Sequence, residues 1–164
     1  MALDQNGVIT REELLQFNQI ISDERYKKGP VAVIECIQEI PCNPCEAACA
    51  QGAIKIGMPI TELPILDEDL CTGCSICIAK CPGLAIFMVD KTYSDTEALI
   101  SFPYEYTPLP EKDEIVEAVS RAGVVMSKAK VIKVMNPKSF DRTPVVTIAV
   151  PKDMADEIRS MKRK

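Results

Sequence analysis

The chain has 164 residues, 47% of them hydrophobic, which allows one compact domain or two small ones. Its first 90 residues carry 13 acidic and 6 basic side chains, and this acidic half disfavours nucleic-acid binding, which relies on clustered Lys and Arg. The sequence contains no histidine. That excludes zinc sites with histidine ligands and removes the commonest general base of enzymes.

The N-terminal segment has neither a basic start nor an apolar stretch of signal-peptide length. The longest apolar runs, such as Val145 to Val150, are far shorter than the ~18 to 20 residues that a membrane-spanning helix needs. The sequence therefore predicts a cytoplasmic protein with no membrane span.

Residues 1–30 are predicted to contain one amphipathic helix. Thr10 and Glu13 have the spacing of a capping box, and apolar residues then recur at helical intervals. Gly29-Pro30 would end the helix, which is placed at 11–28. Its apolar face would serve for packing, or alternatively for docking to a partner subunit.

Residues 31–90 hold all eight cysteines and form the predicted central domain. Two short apolar runs, at 52–56 and 84–88, each follow the last cysteine of a group and are strand candidates. From Lys91 onward the sequence has no cysteine, and several prolines interrupt 91–112. This stretch is therefore predicted to be a connector.

Residues 113–164 are predicted to form a small α+β unit. Three apolar residues at helical spacing predict a short helix at 115–122. The β-branched runs 124–126, 131–135 and 145–150 predict two or three strands of a small sheet.

The last segment of this unit is predicted to be a helix. Pro151 stands where a first helical residue would, and Met154, Ile158 and Met161 follow at i, i+4 and i+7. The predicted fold class of the whole chain is α+β.

The second group of cysteines has a dense and regular spacing. Four thiols follow one another with gaps of two, two and three residues, and a proline comes next: Cys71, Cys74, Cys77, Cys81 and Pro82. Gaps of two residues let three thiolates of one tight loop reach three irons of a cubane, while the fourth cysteine leaves on a helical turn and ligates a second cluster. The spacing predicts [4Fe-4S] ligation.

The first group is a degenerate copy of the second. Three of its thiols precede three of the second group by a constant 32 residues: Cys42, Cys45 and Cys49. At that offset the partner of Cys71 would be Glu39, and the nearest cysteine is Cys36, with five residues between it and Cys42. Either Cys36 reaches the same iron through a longer loop, or the first site has three cysteines and binds a [3Fe-4S] cluster or uses Glu39. We favour Cys36.

Because the last cysteine of each run crosses to the other cluster, two [4Fe-4S] clusters with four ligands each are predicted. One set is Cys36, Cys42, Cys45 and Cys81, and the other is Cys71, Cys74, Cys77 and Cys49. Disulfides would need an oxidising compartment, and all-cysteine zinc sites usually pair two short hairpins. The dense runs favour clusters over both.

The run from Cys71 to Pro82 and its copy resemble the bacterial two-cluster ferredoxins, over roughly 31–90. Those domains have a βαββαβ fold with both clusters in the core, and the resemblance implies the same fold here.

Longer segments resemble the iron–sulfur subunit that accompanies FAD-dependent dehydrogenases of amino acids, of the proline or hydroxyproline dehydrogenase kind. The segments that carry this resemblance are 40–49, 102–105, 108–110 and 141–151. It implies a hetero-oligomeric complex in which a flavin subunit oxidises the substrate and this chain takes up the electrons one at a time.

The predicted function is electron relay, since a cluster needs no acid, base or nucleophile from the protein and no catalytic residue is predicted. A catalytic oxidoreductase subunit is one alternative, but its dinucleotide fingerprint, such as Gly-x-Gly-x-x-Gly, does not occur among the seven glycines. A structural or regulatory iron–sulfur protein is another. Its clusters would not cycle reversibly between oxidation states.

Overall fold

The computed structural model describes residues 2–164. It contains nine strands: β1 (Val31–Ile34), β2 (Ile54–Lys55), β3 (Ile65–Leu66), β4 (Ile86–Asp90), β5 (Glu97–Pro103), β6 (Ile115–Ser120), β7 (Val125–Met135), β8 (Val145–Pro151) and β9 (Ile158–Met161). Five short α-helices accompany them: α1 (Ala2–Asn6), α2 (Arg11–Gln16), α3 (Asp23–Tyr26), α4 (Pro44–Ala48) and α5 (Ile76–Lys80). Two 3₁₀ turns lie at Lys138–Phe140 and Lys152–Met154.

Seven of the strands form one antiparallel sheet in the order β1-β4-β5-β8-β7-β6-β9, and β2 and β3 form a separate hairpin pair. Strand β8 lies in the middle of the large sheet, and its residues 145–150 are buried on both faces. A run of β-branched residues suits such a position, because both sides of the strand pack against other groups.

The large sheet curves until its two edge strands approach each other. Val31 and Val33 of β1 belong to the same hydrophobic core as Ile158 and Met161 of β9. Glu35, directly after β1, is ion-paired with Arg159 of β9 at 2.6 Å. The edges of the sheet are therefore joined by packing and by charge, without backbone pairing between β1 and β9 among the described strands.

The predicted N-terminal helix at 11–28 is wrong in its length. The capping box is confirmed: the Glu13 backbone N–H donates to Thr10 Oγ1, and the Thr10 N–H donates to the Glu13 carboxylate. However, the helix it starts ends at Gln16, and Asn18 has a left-handed φ of 55°. Ser22 then caps the separate helix α3. The apolar periodicity continues across this break in the helix, so the sequence pattern did not show where the helix ends.

The short helix predicted at 115–122 is wrong, because the segment forms strand β6. Val116 and Ala118 are buried while Ile115 and Glu117 are exposed, which is the two-residue period of a strand. The apolar residues at helical spacing included Ile115, which is 60% exposed and does not belong to the core.

The C-terminal helix is also wrong. After the 3₁₀ turn Lys152–Met154, the chain extends as β9 and pairs with β6, placing Met161 opposite Ala118. Tertiary pairing with an available sheet edge has overridden a weak helical pattern. The strands predicted at 131–135 and 145–150 are confirmed, and β7 also includes most of 124–126.

The stretch 91–112, predicted to be a connector, contains strand β5. Ala98, Ile100 and Phe102 of β5 are fully buried, and β5 pairs with β4 on one side and β8 on the other. The sheet therefore continues from the cysteine-bearing part of the chain into its C-terminal part.

Arg25 joins the N-terminal segment to the cysteine-bearing part. Its guanidinium is buried and donates hydrogen bonds to four backbone carbonyls, at 2.7 to 3.0 Å: Glu68, Gly29, Pro30 and Cys71. Nothing in the sequence spacing marks this residue, because two of its four acceptors lie 43 and 46 residues away.

We expect Arg25→Met to destabilise the protein, because it leaves several carbonyls without a donor. Each buried unsatisfied group costs about 1–3 kcal/mol, and partial rehydration should bring the total to about 3 kcal/mol. The midpoint of anaerobic thermal unfolding should fall by roughly 6–12 °C. Lys28→Met is the matched control, because Lys28 forms only an exposed pair with Asp69. Equal midpoints for the two variants would contradict the role assigned to Arg25.

Candidate metal centres

The eight cysteines gather around two cavities, and all eight are free thiols. The first cavity is lined by Cys36, Cys42, Cys45 and Cys81. The second cavity is lined by Cys49, Cys71, Cys74 and Cys77. The structure thus brings together the same two sets of four that the spacing predicts, and their role as ligands remains a prediction.

The two helices α4 and α5 explain how each set is assembled. Cys45 lies within α4, and Cys49 follows the end of that helix and faces the other cavity. Likewise Cys77 lies within α5, and Cys81 follows its end and faces the first cavity. Each cavity therefore receives three thiols from one loop and helix and one thiol from the other.

The internal duplication extends beyond the cysteines. Helices α4 and α5 begin 32 residues apart, and so do strands β2 and β4. The Ala53 N–H donates to Cys49 Sγ at 3.2 Å, and the Ala85 N–H, 32 residues later, donates to Cys81 Sγ at 3.5 Å. Both crossing thiols are thus held by the backbone in the same way.

A third backbone donor reaches the second cavity, where the Ala32 N–H donates to Cys71 Sγ at 3.4 Å. Hydrogen bonds to sulfur stabilise the charge of a thiolate, and they tune the reduction potential of a cluster bound to it. These donors come from β1 and from the residues just before β2 and β4, so the strands fix their positions.

Burial and neighbouring thiols raise the pKa of several cysteines. Burial, followed by the charges of Cys81 and Cys42, raises the pKa of Cys45 to about 11. Burial, followed by the charges of Cys71 and Cys74, raises the pKa of Cys77 to about 12. These thiols are protonated at neutral pH without metal, and metal binding must release their protons.

Cys36 lies in the first cavity despite its irregular spacing. It follows Glu35, whose carboxylate is fixed by Arg121 and Arg159, so the end of β1 and the start of the long loop are held in place. Burial, followed by the charge of Cys81, raises the pKa of Cys36. Glu39 is exposed and is not among the described residues that line this cavity.

The walls of both cavities suit a cluster with thiolate ligands. Their other lining residues are mostly apolar, with Ile34, Ile56 and Ile86 in the first and Ala32, Ile54 and Met88 in the second. Within 2–164, no three His, Cys, Asp or Glu side chains are grouped closely enough to hold a single metal ion. The cysteines of each set instead line a cavity, in which sulfur is the only metal-binding side-chain atom that recurs. Backbone N–H groups donate hydrogen bonds to three of these sulfur atoms.

Gly73 occupies a position that only glycine fits. A Cβ added there would lie 2.6 Å from Pro30 Cγ and 2.9 Å from the Pro30 carbonyl oxygen, and the φ of Gly73 is +71°. The residue lies between Cys71 and Cys74 of the second cavity. Any side chain at this position must displace either Pro30 or the loop that carries both thiols.

If each cavity holds one cluster, Gly73→Ala should lose that of the second cavity and retain that of the first. Iron per chain, measured after anaerobic purification, should fall by about half. Two control variants, Gly123→Ala and Gly83→Ala, separate the steric clash from backbone strain and from a general effect of substitution near a cysteine. Gly123 has a similar φ of +75°, but a Cβ there would meet nothing within 4 Å. Gly83 lies beside Cys81, and a Cβ there would be 3.9 Å from the Cys81 sulfur. Both controls should keep the wild-type iron content. A full iron content in Gly73→Ala would show that the loop tolerates the displacement.

Comparison with known proteins identifies the class of this site. Residues 64–87 match the family model of the 4Fe-4S binding domain. The chain is 35% identical over 78 residues to an uncharacterised ferredoxin of Methanocaldococcus jannaschii, a match that covers 43% of this chain and 45% of that protein. The chain therefore contains a ferredoxin-type domain with a [4Fe-4S]-binding segment at 64–87.

Two further relatives are larger proteins. The chain is 29% identical over 120 residues to Protein Pixie of Drosophila melanogaster, covering 67% of this chain and 18% of that protein. It is 40% identical over 47 residues to one subunit of an ion-translocating oxidoreductase complex of Methanosarcina acetivorans, covering 29% and 17%. The chain thus spans less than half the length of each of the three relatives. No solved structure matches it. None of the described helices combines the length and apolar character needed to cross a bilayer.

Proposed function

We propose that this chain relays single electrons through two [4Fe-4S] clusters. Four thiols hold each cluster: Cys36, Cys42, Cys45 and Cys81 in the first cavity, and Cys49, Cys71, Cys74 and Cys77 in the second. The observation that carries the proposal is the pair of adjacent cavities, each lined by four cysteines and each receiving one cysteine from the other loop. A single cluster would leave four of these thiols without a role.

The bound clusters would supply one-electron redox chemistry. The chain's own residues provide thiolate ligands, backbone N–H donors to sulfur, and apolar walls that exclude water. None of these tasks needs an acid, a base or a nucleophile. Low polarity and N–H donors act in opposite directions on the stability of the reduced, more negative state, so their balance would set the potential of each cluster.

The order of elements supports the ferredoxin-like βαββαβ fold as part of the proposal. Between 31 and 90 the chain runs β1, α4, β2, β3, α5 and β4, with β1 paired to β4 and β2 paired to β3. The two halves of this unit share the 32-residue offset. The remaining strands of the large sheet extend it from the β4 side.

We further propose that the electron donor is a flavin-dependent dehydrogenase in a hetero-oligomeric complex. A reduced flavin holds two electrons, and two one-electron acceptors in one chain can take up both. The resemblance of 40–49 and 141–151 to iron–sulfur subunits of such dehydrogenases supports this partner. The relative from Methanosarcina acetivorans, which is similar over 47 residues, is also a component of an oxidoreductase complex by its name.

The test is anaerobic expression followed by iron and sulfide quantitation and EPR of the dithionite-reduced protein. Two clusters predict about eight irons per chain and spin-coupled [4Fe-4S] signals. Cys36→Ala should convert the signal of one cluster and leave the other unchanged. About four irons would reject the two-cluster proposal, and zinc in place of iron would reject electron relay altogether.

The flavin partner is tested separately. The complex purified anaerobically from its native cells should contain bound FAD. Addition of the dehydrogenase substrate should then bleach the cluster absorbance in this chain without any added mediator. A complex free of flavin, or clusters that stay oxidised with substrate, would reject the flavin partner and leave the relay itself standing.

A further inference from the structure

Four exposed apolar side chains lie on chain segments that border the first cavity. Its members are Ile40, Met58, Ile60 and Leu84, with exposed fractions of 49%, 86%, 40% and 37%. We call this group the Ile40 surface. Met58 and Ile60 belong to the loop between β2 and β3, whereas Ile40 and Leu84 come from the two cysteine loops. Apolar groups so exposed at one place indicate a contact surface.

The Ile40 surface is continuous with the cluster ligands. Ile40 itself lines the first cavity, and the Cys42 N–H donates to the carbonyl of Ile60 at 3.2 Å. Leu84 and Ile40 also line a neighbouring open groove together with Cys36. A protein bound to this surface would therefore lie directly against the segments that carry the thiols of the first cavity.

The second cavity presents a different exterior. The N-terminal segment covers its edge, where Arg25 donates to the Cys71 carbonyl and Ser22 to the Glu68 carboxylate. Two apolar side chains are exposed beside this cavity, Ile65 at 68% and Leu70 at 48%, but Asp69 is already ion-paired with Lys28 of the N-terminal segment. At the first cavity, by contrast, the side chains of Glu39 and Glu62 form no ion pair within 2–164, so their negative charge is available to a partner.

The charge around the Ile40 surface is negative. Glu39 and Glu62 are exposed beside Ile40 and at the cavity rim, and Glu46 lies in α4. Between 31 and 90 the chain has eight acidic and two basic side chains. A complementary partner needs an apolar centre surrounded by Lys and Arg.

We infer that the Ile40 surface is where a redox partner docks, and that this partner presents basic residues around an apolar patch at its own redox group. The inference rests on the proposed relay function and adds the face of the molecule at which electrons cross. In each encounter one electron passes between the partner and the cluster of the first cavity. One group is oxidised as the other is reduced, and no bond or proton is exchanged.

The expected contact is transient. Electron-transfer partners bury small interfaces, and opposite charges speed their association more than they strengthen the complex. The attraction between exposed charges falls with ionic strength, because the Debye length shortens to ~10 Å at 0.1 M salt. Strong dependence on salt is therefore the signature of this docking mode.

The probe is a basic cytochrome c, with lysines around its exposed haem edge. Binding to the oxidised holoprotein is measured by calorimetry, and the reduction of ferric cytochrome by the pre-reduced holoprotein is measured by stopped flow. Glu39→Lys with Glu62→Lys should lower the association rate constant at least about tenfold at low salt. Ile40→Ser with Met58→Ser should weaken binding with an unchanged salt dependence.

Matched controls place the same changes elsewhere. Asp95→Lys with Glu97→Lys alters the net charge equally at the far end of β4, and Ile115→Ser with Val124→Ser removes two side chains that are each 60% exposed. Both controls should match the wild type closely. Equal effects of the control and test pairs, or no effect of either test pair, would overturn the assignment.

The outcome for the surface is distinguishable from the outcome for the relay. Oxidation of the pre-reduced protein by a small viologen dye needs no docking surface, so it reports on the clusters alone. Reversible dye oxidation with cytochrome binding unaffected by the test pairs would reject the surface and keep the relay. If the protein had no reducible clusters and calorimetric binding still depended on the test pairs, the relay would be rejected and the Ile40 surface would be kept as a binding site.

Discussion

Combined loss of Cys77 and Cys81 should destroy both proposed clusters, although the two residues lie four positions apart in one run. Cys77 lines the second cavity and Cys81 the first, so each substitution removes a proposed ligand from a different set. Cys81→Ala together with Cys36→Ala should instead damage only one cluster, because both thiols line the first cavity. Comparing cluster loss in the two double variants therefore tests whether the last cysteine of each run ligates the cluster of the other run.

The measurements are iron content and EPR of the reduced proteins after anaerobic purification. The Cys77/Cys81 pair should retain almost no [4Fe-4S] signal, whereas the Cys36/Cys81 pair should retain that of one cluster. A three-cysteine site can persist as [3Fe-4S], so the oxidised samples are also examined for its signal. If the Cys77/Cys81 pair kept one intact cluster, each run would bind its own cluster and the crossing would be wrong.

The gathering of the thiols was easier to predict from the sequence than the surrounding fold. Cysteine spacing is a direct record of local geometry, since α4 and α5 repeat at the same 32-residue offset as the thiols they carry. The fourth thiol of each cavity comes from the other run, but convergence of the first three needs only a tight loop and one helical turn. Both are determined by a few neighbouring residues, and the spacing shows them without reference to the rest of the chain.

The strands β6 and β9 could not be predicted in the same way. Their residues carry weak helical spacing, and they become strands because a partner edge is available: Ala118 lies opposite Met161. That edge is formed by residues more than 40 positions apart in the sequence. The pairing energy is therefore non-local, and single-segment periodicity does not contain it.

The same limit applies to the buried charges. Glu35 is 86 residues from Arg121 and 124 residues from Arg159 in sequence. Each residue alone resembles an ordinary surface charge. Only the curvature of the sheet brings them together next to Cys36, so no local pattern distinguishes any of the three.

We expect Glu35→Ala to be among the most destabilising substitutions outside the cysteines. The side chains of Glu35, Arg121 and Arg159 are only 4%, 8% and 5% exposed. Both Arg121 Nε and Nη2 donate to the Glu35 carboxylate, at 2.9 and 2.7 Å, and Arg159 Nε donates to it at 2.6 Å. Removing the one carboxylate that all three donors share leaves Arg159 buried with no carboxylate partner among the described residues, whereas Arg121 keeps its ion pair with Glu157 at 2.9 Å.

Breaking a buried ion pair in this manner costs about 3–5 kcal/mol, which corresponds to a fall of roughly 6–20 °C in the midpoint of anaerobic thermal unfolding. Burial lowers the pKa of Arg159, and Glu35 opposes that effect, so the charged form loses its main support in the variant. Glu35→Gln should cost less, since its amide oxygen still accepts a hydrogen bond.

Glu117→Ala is the control, because Glu117 forms only an exposed pair with Lys162 and should shift the midpoint by no more than about 2–4 °C. Because Glu35 precedes Cys36, the cluster of the first cavity should also be lost faster on warming than that of the second. A Glu35→Ala protein that melts like Glu117→Ala would mean that the edges of the sheet are held by apolar packing alone.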